Sequence, residues 1–304
     1  MLNHYGEWAA LIAAIFWTVT ALAFENASKR IGSLAVNLLR LLIAFVLFGV
    51  MAMIRTGSFF PVEASAHNWI WLSISGLIGF VIGDLMLFQA YVVVGARVAM
   101  LIMSLAPPLA AVIGWAIMGE TMQTTGLLGI LITLAGIAMV ILTRKNRDDD
   151  PKSEKKIKLK YPVKGVLLAV GGAAGQATGL VLSKYGMQGY DVISSTQIRV
   201  ITGAVGFVII FAMMNKWRAL KALKNDPGSI VSLGLGSVFG PFLGVSFSLI
   251  AVKYAAATGV AASIMSVVPV LIIAPAVIFF KEKITLKEIA GAIVTTAGVV
   301  LFFI

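Results

Sequence analysis

Long apolar runs, broken only by short polar stretches, constrain this chain more than any other feature of its 304 residues. A hydrocarbon core about 30 Å thick is crossed by about 20 helical residues. Runs of that kind begin near Trp8, Ala35, Trp69, Val98, Thr124, Val163, Asp191, Ile230, Thr258 and Leu286. They predict an all-α integral membrane fold of about ten transmembrane helices and leave too little chain for a soluble domain. Composition agrees: hydrophobic residues make up 60% and charged residues only 12%, whereas soluble domains carry about 25% charge. Glu7 and no basic region precedes the first run, so a cleaved signal peptide is not expected. Cys is absent, which excludes disulfides and thiolate metal sites.

The net charge of +11 would fit a nucleic-acid partner were it gathered on one surface. Instead it lies in the breaks. Of 24 Lys and Arg, 19 fall in odd-numbered loops: Lys29 and Arg30; Arg97; nine from Arg144 to Lys164; Lys216, Arg218, Lys221 and Lys224; and Lys281, Lys283 and Lys287. Only Arg55, Lys184 and Lys253 occupy even loops, and Arg40 and Arg199 lie within spans. Basic residues collect on the cytoplasmic side, so the count predicts cytoplasmic odd loops and both termini outside. No nucleic-acid partner is expected. The expected location is a multi-pass plasma (inner) membrane.

The two halves resemble each other. Ser104 and Pro107 match Ser266 and Pro269 at an offset of 162, which also carries Glu120 onto Glu282, Gly129 onto Gly291, Thr133 onto Thr295 and Gly136 onto Gly298. Ser75, Gly79 and Gly83 match Gly236, Gly240 and Gly244 at offset 161, and Arg40 matches Arg199 at 159. Polar and small residues in fixed register are hard to obtain by chance. The expected organisation is one repeat over 1–143, a flexible charged linker over 144–162, and a second repeat over 163–304. An odd number of spans per repeat inverts the second copy, a plan common in secondary transporters, whose substrate site lies at the midplane.

On these residues the chain resembles the EamA-type members of the drug/metabolite transporter superfamily, over nearly its whole length. The likeness rests on the Ser-x-x-Pro pairs, the Gly119-Glu120 and Glu282 turns, the seven-spaced glycines of spans five and ten, and Arg40 and Arg199. It implies two five-helix repeats and small-solute transport. Members of that family are usually drawn with cytoplasmic termini, opposite to the charge count.

Within the spans, Asp84 is the costliest residue, since an ionisable group at the membrane centre costs at least about 2.5–3.5 kcal/mol. It lies about 9 Å inside by helical rise, at the depth of Arg40. The two either neutralise each other and pin two helices, or Asp84 couples protons or cations or anchors a substrate ammonium. Val245 replaces this acid in the second half, so Arg199 either snorkels to the interface or holds a substrate carboxylate or phosphate. Cavity candidates are Trp17, Thr18, Thr20, Gln89, Gln176, Thr178, Ser246 and Ser248, although hydroxyls in helices often bond back to their own backbone. Pro107, Pro108, Pro269 and Pro275, with Ser104 and Ser266 a turn away, predict cavity-lining or purely structural kinks.

Gly79, Gly83, Gly240 and Gly244 sit on helix-packing faces. Gly129/Gly136 and Gly291/Gly298 predict an interhelix or homodimer seam. Glu120 and Glu282 read as caps of spans five and ten. His4 and His67 are too far apart for a metal motif, and no phosphate-binding loop occurs. No metal, cofactor or catalytic residue is therefore expected. The reading is a secondary transporter, an exporter of small organic metabolites such as amino acids, with the solute and the lipid bilayer as partners. A membrane-embedded enzyme acting on lipid-linked substrate, or a passive channel, is the alternative.

Overall fold

The computed structural model describes residues 5–61, 63–119, 124–145, 156–187, 189–215, 217, 220, 226–254 and 264–302. The first two apolar runs form α1 (Tyr5–Ile31) and α2 (Ser33–Thr56), separated by Gly32 alone. Ser65 opens α3 (Ala66–Gly76) through a reciprocal capping box with Asn68. The helix then loosens into a π-helical stretch, Leu77–Gly83, before α4 (Asp84–Met103). Inside α4, Gly95 adopts φ 81° and ψ 157°, a conformation that L side chains avoid. The helix is kinked at this break, and the Tyr91 hydroxyl meets the Met100 sulfur at 3.3 Å across it.

α4 ends in a tight turn at Ser104–Leu105, with Ser104 N–H on the Leu101 carbonyl and Leu105 N–H on that of Ile102. Pro107 and Pro108 therefore sit in the first turn of a new helix, α5 (Ala106–Met118), where a missing N–H costs little. Ser104 and Leu105 themselves keep right-handed helical φ/ψ through this turn. α6 (Thr124–Ile141) leads into β1 (Leu142–Lys145), which pairs antiparallel with β2 (Lys156–Leu159). The linker, expected to be flexible throughout, is thus tied at both ends as a two-stranded ribbon. Its residues 146–155 lie outside the described residues.

The second half holds α7 (Val163–Gly186), α8 (Val192–Met214) and α9 (Pro227–Ser237), then a π-helical stretch, Val238–Gly244, and α10 (Val245–Tyr254). The two π-helical stretches stand 161 residues apart, the offset of the glycine ladders inside them. α11 (Val268–Leu271), α12 (Ile273–Phe280) and α13 (Leu286–Phe302) follow. Val267 N–H bonds the Ile264 carbonyl, as Leu105 does Ile102 in the first half. Pro269 accordingly opens α11 as Pro107 opens α5. Among the described residues, six helices are long and apolar enough to cross a membrane: Tyr5–Ile31, Ser33–Thr56, Ala66–Met103, Val163–Gly186, Val192–Met214 and Pro227–Ser248. Shorter apolar helices accompany them. Their outward residues, such as Ile54, Leu131, Leu167 and Phe279, are bare hydrocarbon, as lipid contact requires.

Helices of the two halves cross antiparallel, shown by contacts whose residue numbers rise on one helix as they fall on the other. A Cβ added to Gly79 or Gly83 would touch Gly179 or Gly175, placing α3 and its π-helical stretch against α7. Phe24, Thr20 and Trp17 of α1 meet Gly236, Gly240 and Gly244 in the same sense. α6 and α13 cross through Gly136 on Thr295 and, by exchange, Gly298 on Thr133. The glycine seam of these last helices therefore joins two parts of one chain rather than two copies. Between the crossings lies a core of Phe24, Phe48, Phe207 and Phe211.

The polar connections sort onto two faces. On one, Arg30 pairs with Asp226 at 3.1 Å, Arg97 with Glu282, Lys160 with Glu288, and the Lys287 ammonium donates to the Leu142 carbonyl. On the other, Arg55 meets Asp191 at 3.5 Å and Asn68 donates to the Gly186 carbonyl. The first face gathers odd-loop segments and the second even-loop segments.

Candidate functional site

Asp84 begins α4 directly after the π-helical stretch and is 4% exposed. Its carboxylate is held by Arg40 of α2 and by the side-chain amide of Gln176 of α7. The Arg40 Nε donates to Asn37 Oδ1 at 3.0 Å, and Asn37 Nδ2 donates to the Asp84 carbonyl at 3.3 Å. The Arg40–Asp84 pair expected from depth is therefore formed. Gln176, singled out as a solute contact, is its third member. Bare backbone puts it there: a Cβ on Gly83 would lie 3.2 Å from the Gln176 amide nitrogen. The glycine ladder lets α7 approach α4 closely enough for Gln176 to reach a buried carboxylate.

Arg199 enters the same neighbourhood from α8. Its guanidinium carbon lies 4.6 Å from the Phe80 ring centre, and that of Arg40 lies 5.7 Å from the same ring and 4.8 Å from Phe88. Cations held over ring faces are attracted by the ring quadrupole. Arg199 turns inward onto Phe80 instead of snorkelling to the end of its helix. Its Nε is buried without a hydrogen-bond partner among the described residues. Four candidates from four helices, two from each half, thus converge on one polar cluster, with Arg40 and Asp84 buried and Gln176 and Arg199 partly so.

Other candidates fall elsewhere. The Trp17 indole donates to Ser248 Oγ at 3.3 Å, bridging α1 and α10. The Thr20 hydroxyl, one turn on, is buried against Gly240 and has no partner. Gln89 accepts from Ser33 at 2.8 Å. Thr178, Ser246 and Thr18 bond back to the Ala174, Phe242 and Ala14 carbonyls, each four residues earlier. Ser104 lies buried at the turn before α5, and the Ser266 carbonyl accepts from Thr296 at 3.4 Å. An apolar groove lined by Val270, Ile293, Ala297 and Val300 flanks α11 and α13, away from the charged cluster.

A second charged cluster escaped the sequence reading. Glu25, fully buried in α1, accepts the Ala96 N–H at 3.0 Å and pairs with Lys29. It caps the helix that restarts after Gly95. Glu282, expected as the cap of α13, instead accepts from Arg97 Nε at 2.8 Å. Thr285 and Glu288 cap α13 reciprocally, Thr285 N–H bonding Glu288 Oε2 at 2.8 Å. Glu120 lies outside the described residues. Arg97, assigned to a loop, is 8% exposed within α4 and also faces Glu288 at 3.6 Å. The Tyr161 hydroxyl donates to Glu288 at 2.6 Å. Burial, reinforced by that carboxylate, pushes the phenol up to about 12. The signal for Glu25 was an acid four residues before Lys29, which reads equally as an exposed helix-end pair.

Fold and site together define a multi-pass helical membrane protein in which helices from both sequence halves meet around buried charge. The model of the EamA-like transporter family matches residues 4–142 and 163–304, and the chain belongs to that family. It is 28% identical over 197 residues to an uncharacterized transporter, YvbV, of Bacillus subtilis (strain 168). That match covers 64% of this chain and 59% of the relative, so the chain spans about three fifths of the relative's length. A solved crystal structure shares the fold with TM-score 0.58 at 16% identity, covering 97% of this chain and 95% of that one.

Proposed function

We propose that this membrane transporter is a secondary exporter of small organic metabolites, amino acids among them, working by alternating access. The working parts are about ten spans in two inverted repeats, 1–143 and 163–304, joined by the charged linker. The observation that carries the reading is the buried cluster in which Arg40 and Asp84 of the first half meet Gln176 and Arg199 of the second. An intramembrane charge marks a solute or ion path, and one shared between halves changes its surroundings whenever the halves move.

Matched π-helical stretches, matched breaks before Pro107 and Pro269, and exchange-symmetric glycine contacts support the repeat layout. Reciprocal positions on antiparallel helices are what a pseudo-two-fold axis in the membrane plane produces. Purified protein in liposomes should catalyse saturable counterflow of at least one class among amino acids, amines, nucleosides and organic acids. Flux that rises linearly with concentration would point to a channel.

A further inference from the structure

We infer that the transported solute carries an acidic group, a carboxylate or phosphate, and that Arg199 is the residue that binds it. The inference rests on the transporter reading and names the solute class of the same site. Its basis is the charge balance around Asp84. Among the described residues, two guanidinium groups and one carboxylate occupy the cluster, and Asn37 and Gln176 add no charge. One cation is left uncompensated.

The surplus falls on Arg199. Arg40 has Asp84 and the Asn37 amide oxygen as partners. Arg199 has the face of Phe80, and its Nε is buried with nothing to donate to. A ring face replaces only part of the hydration that a partly buried cation loses. An arriving carboxylate or phosphate oxygen would satisfy that donor and neutralise the charge, and a planar guanidinium can offer two parallel donors to either group. Glycines of α3 and of the π-helical stretch after it keep this arrangement in register, since a Cβ on Gly76 would press on the Arg199 backbone and one on Gly79 would lie 3.4 Å from its Nη2.

The same geometry argues against a cationic solute. Both Asp84 carboxylate oxygens are engaged, one by Arg40 and the other by Gln176. An amine entering here would have to displace a guanidinium from its carboxylate while approaching a second, unpaired guanidinium. Among the described residues, the site has a cation without an ion-pair partner and no acid in the same state.

The test is direct binding to the purified full chain, followed by thermal unfolding, with shape-matched probes: benzoate, phenyl phosphate, benzamide and benzylamine, plus acetate, succinate and inorganic phosphate. At least one anion should stabilise the wild type in a saturable manner, with benzamide and benzylamine giving no comparable shift. Which anion does so separates a carboxylate solute from a phosphate one. Arg199→Gln should weaken that binding at least tenfold, and Arg199→Lys, which keeps the charge but loses Nε, should fall between.

Equal stabilisation by benzamide or benzylamine, no anion binding at all, or wild-type affinity in Arg199→Gln would overturn the proposal. If Arg199→Gln does not fold, the wild-type contrast of benzoate and phenyl phosphate with their neutral and cationic counterparts decides the matter alone. Counterflow separates the two readings: exchange of neutral or cationic solutes alone leaves the transporter and removes the anion site. Saturable anion binding without flux of any solute does the reverse.

Discussion

Adding one methyl group at Gly136 tests whether the halves are joined through the glycine seam of α6 and α13. A Cβ there would lie 2.8 Å from the Gly291 carbonyl oxygen and closer still to the Thr295 backbone nitrogen. Both neighbours are backbone, so no side-chain rotation relieves the contact and the helices must part. Overpacking of this kind costs about 1–3 kcal/mol. Alanine in place of glycine also gains about 0.5–1 kcal/mol in any helix, so a control is needed. Gly234 supplies it, because a Cβ there meets nothing within 4 Å. The stability of Gly136→Ala should therefore fall below that of Gly234→Ala by about 1–3 kcal/mol, read by denaturant unfolding in detergent through tryptophan fluorescence. Gly298→Ala should behave like Gly136→Ala, since its Cβ would lie 2.8 Å from the Gly129 carbonyl. The double variant should cost less than the sum, because helices already parted accept the second methyl cheaply. If Gly136→Ala and Gly234→Ala agree within about 0.3 kcal/mol, the seam is not packed as described.

Removing one member of the buried Arg40–Asp84 pair leaves an uncompensated charge, so Asp84→Asn and Arg40→Gln should each destabilise by about 3–5 kcal/mol. The double variant should recover part of that loss without recovering transport, and additive losses would mean the pair is not coupled. Asp191 caps α8 by accepting from Ser194 at 2.9 Å. Partial burial works upward on its carboxyl, but the Ser194 hydrogen bonds and nearby Arg55 outweigh it and hold it below the ordinary 3.8. Its stabilisation is thus complete above that value and lost as pH falls through the lower folded one. Asp191→Ala should cost about 1 kcal/mol, constant from about pH 5 to 8 and shrinking in stronger acid; a gap that widens on acidification would contradict the cap. A cysteine replacing Ser153 in this Cys-free chain should resist impermeant thiol reagent in intact cells, and rapid labelling there would reverse the proposed orientation.

What could be read from the chain alone followed from what a bilayer forbids. A buried carboxylate needs a partner at its own depth, and only Arg40 offered one, so that pair was legible. Gln176 was legible as a polar residue in a span, yet its place beside Asp84 was not, because it depends on two backbones meeting at Gly83 and Gly175. Arg97 was read as a loop charge and Glu25 drew no reading, since sequence position does not show that the kink at Gly95 leaves both buried. Glu282 fitted a cap by position alone. The competing cap, Thr285 with Glu288, carries the spacing of a capping box and was the better signal. The π-helical stretches had no signature of their own beyond the glycine ladders that fill them.

The central claim is that the interface between the halves opens to one side of the membrane and then the other. Thr20 lies buried on α1 against Gly240 of the opposite half, its hydroxyl unpartnered, and cysteine is close to it in size. Thr20→Cys, with no competing thiol, can be labelled from each face in vesicles of known orientation. The account predicts reaction from both faces, with a transported solute speeding labelling from one and slowing it from the other in proportion. Reaction from a single face, at a rate that no solute changes, would contradict it.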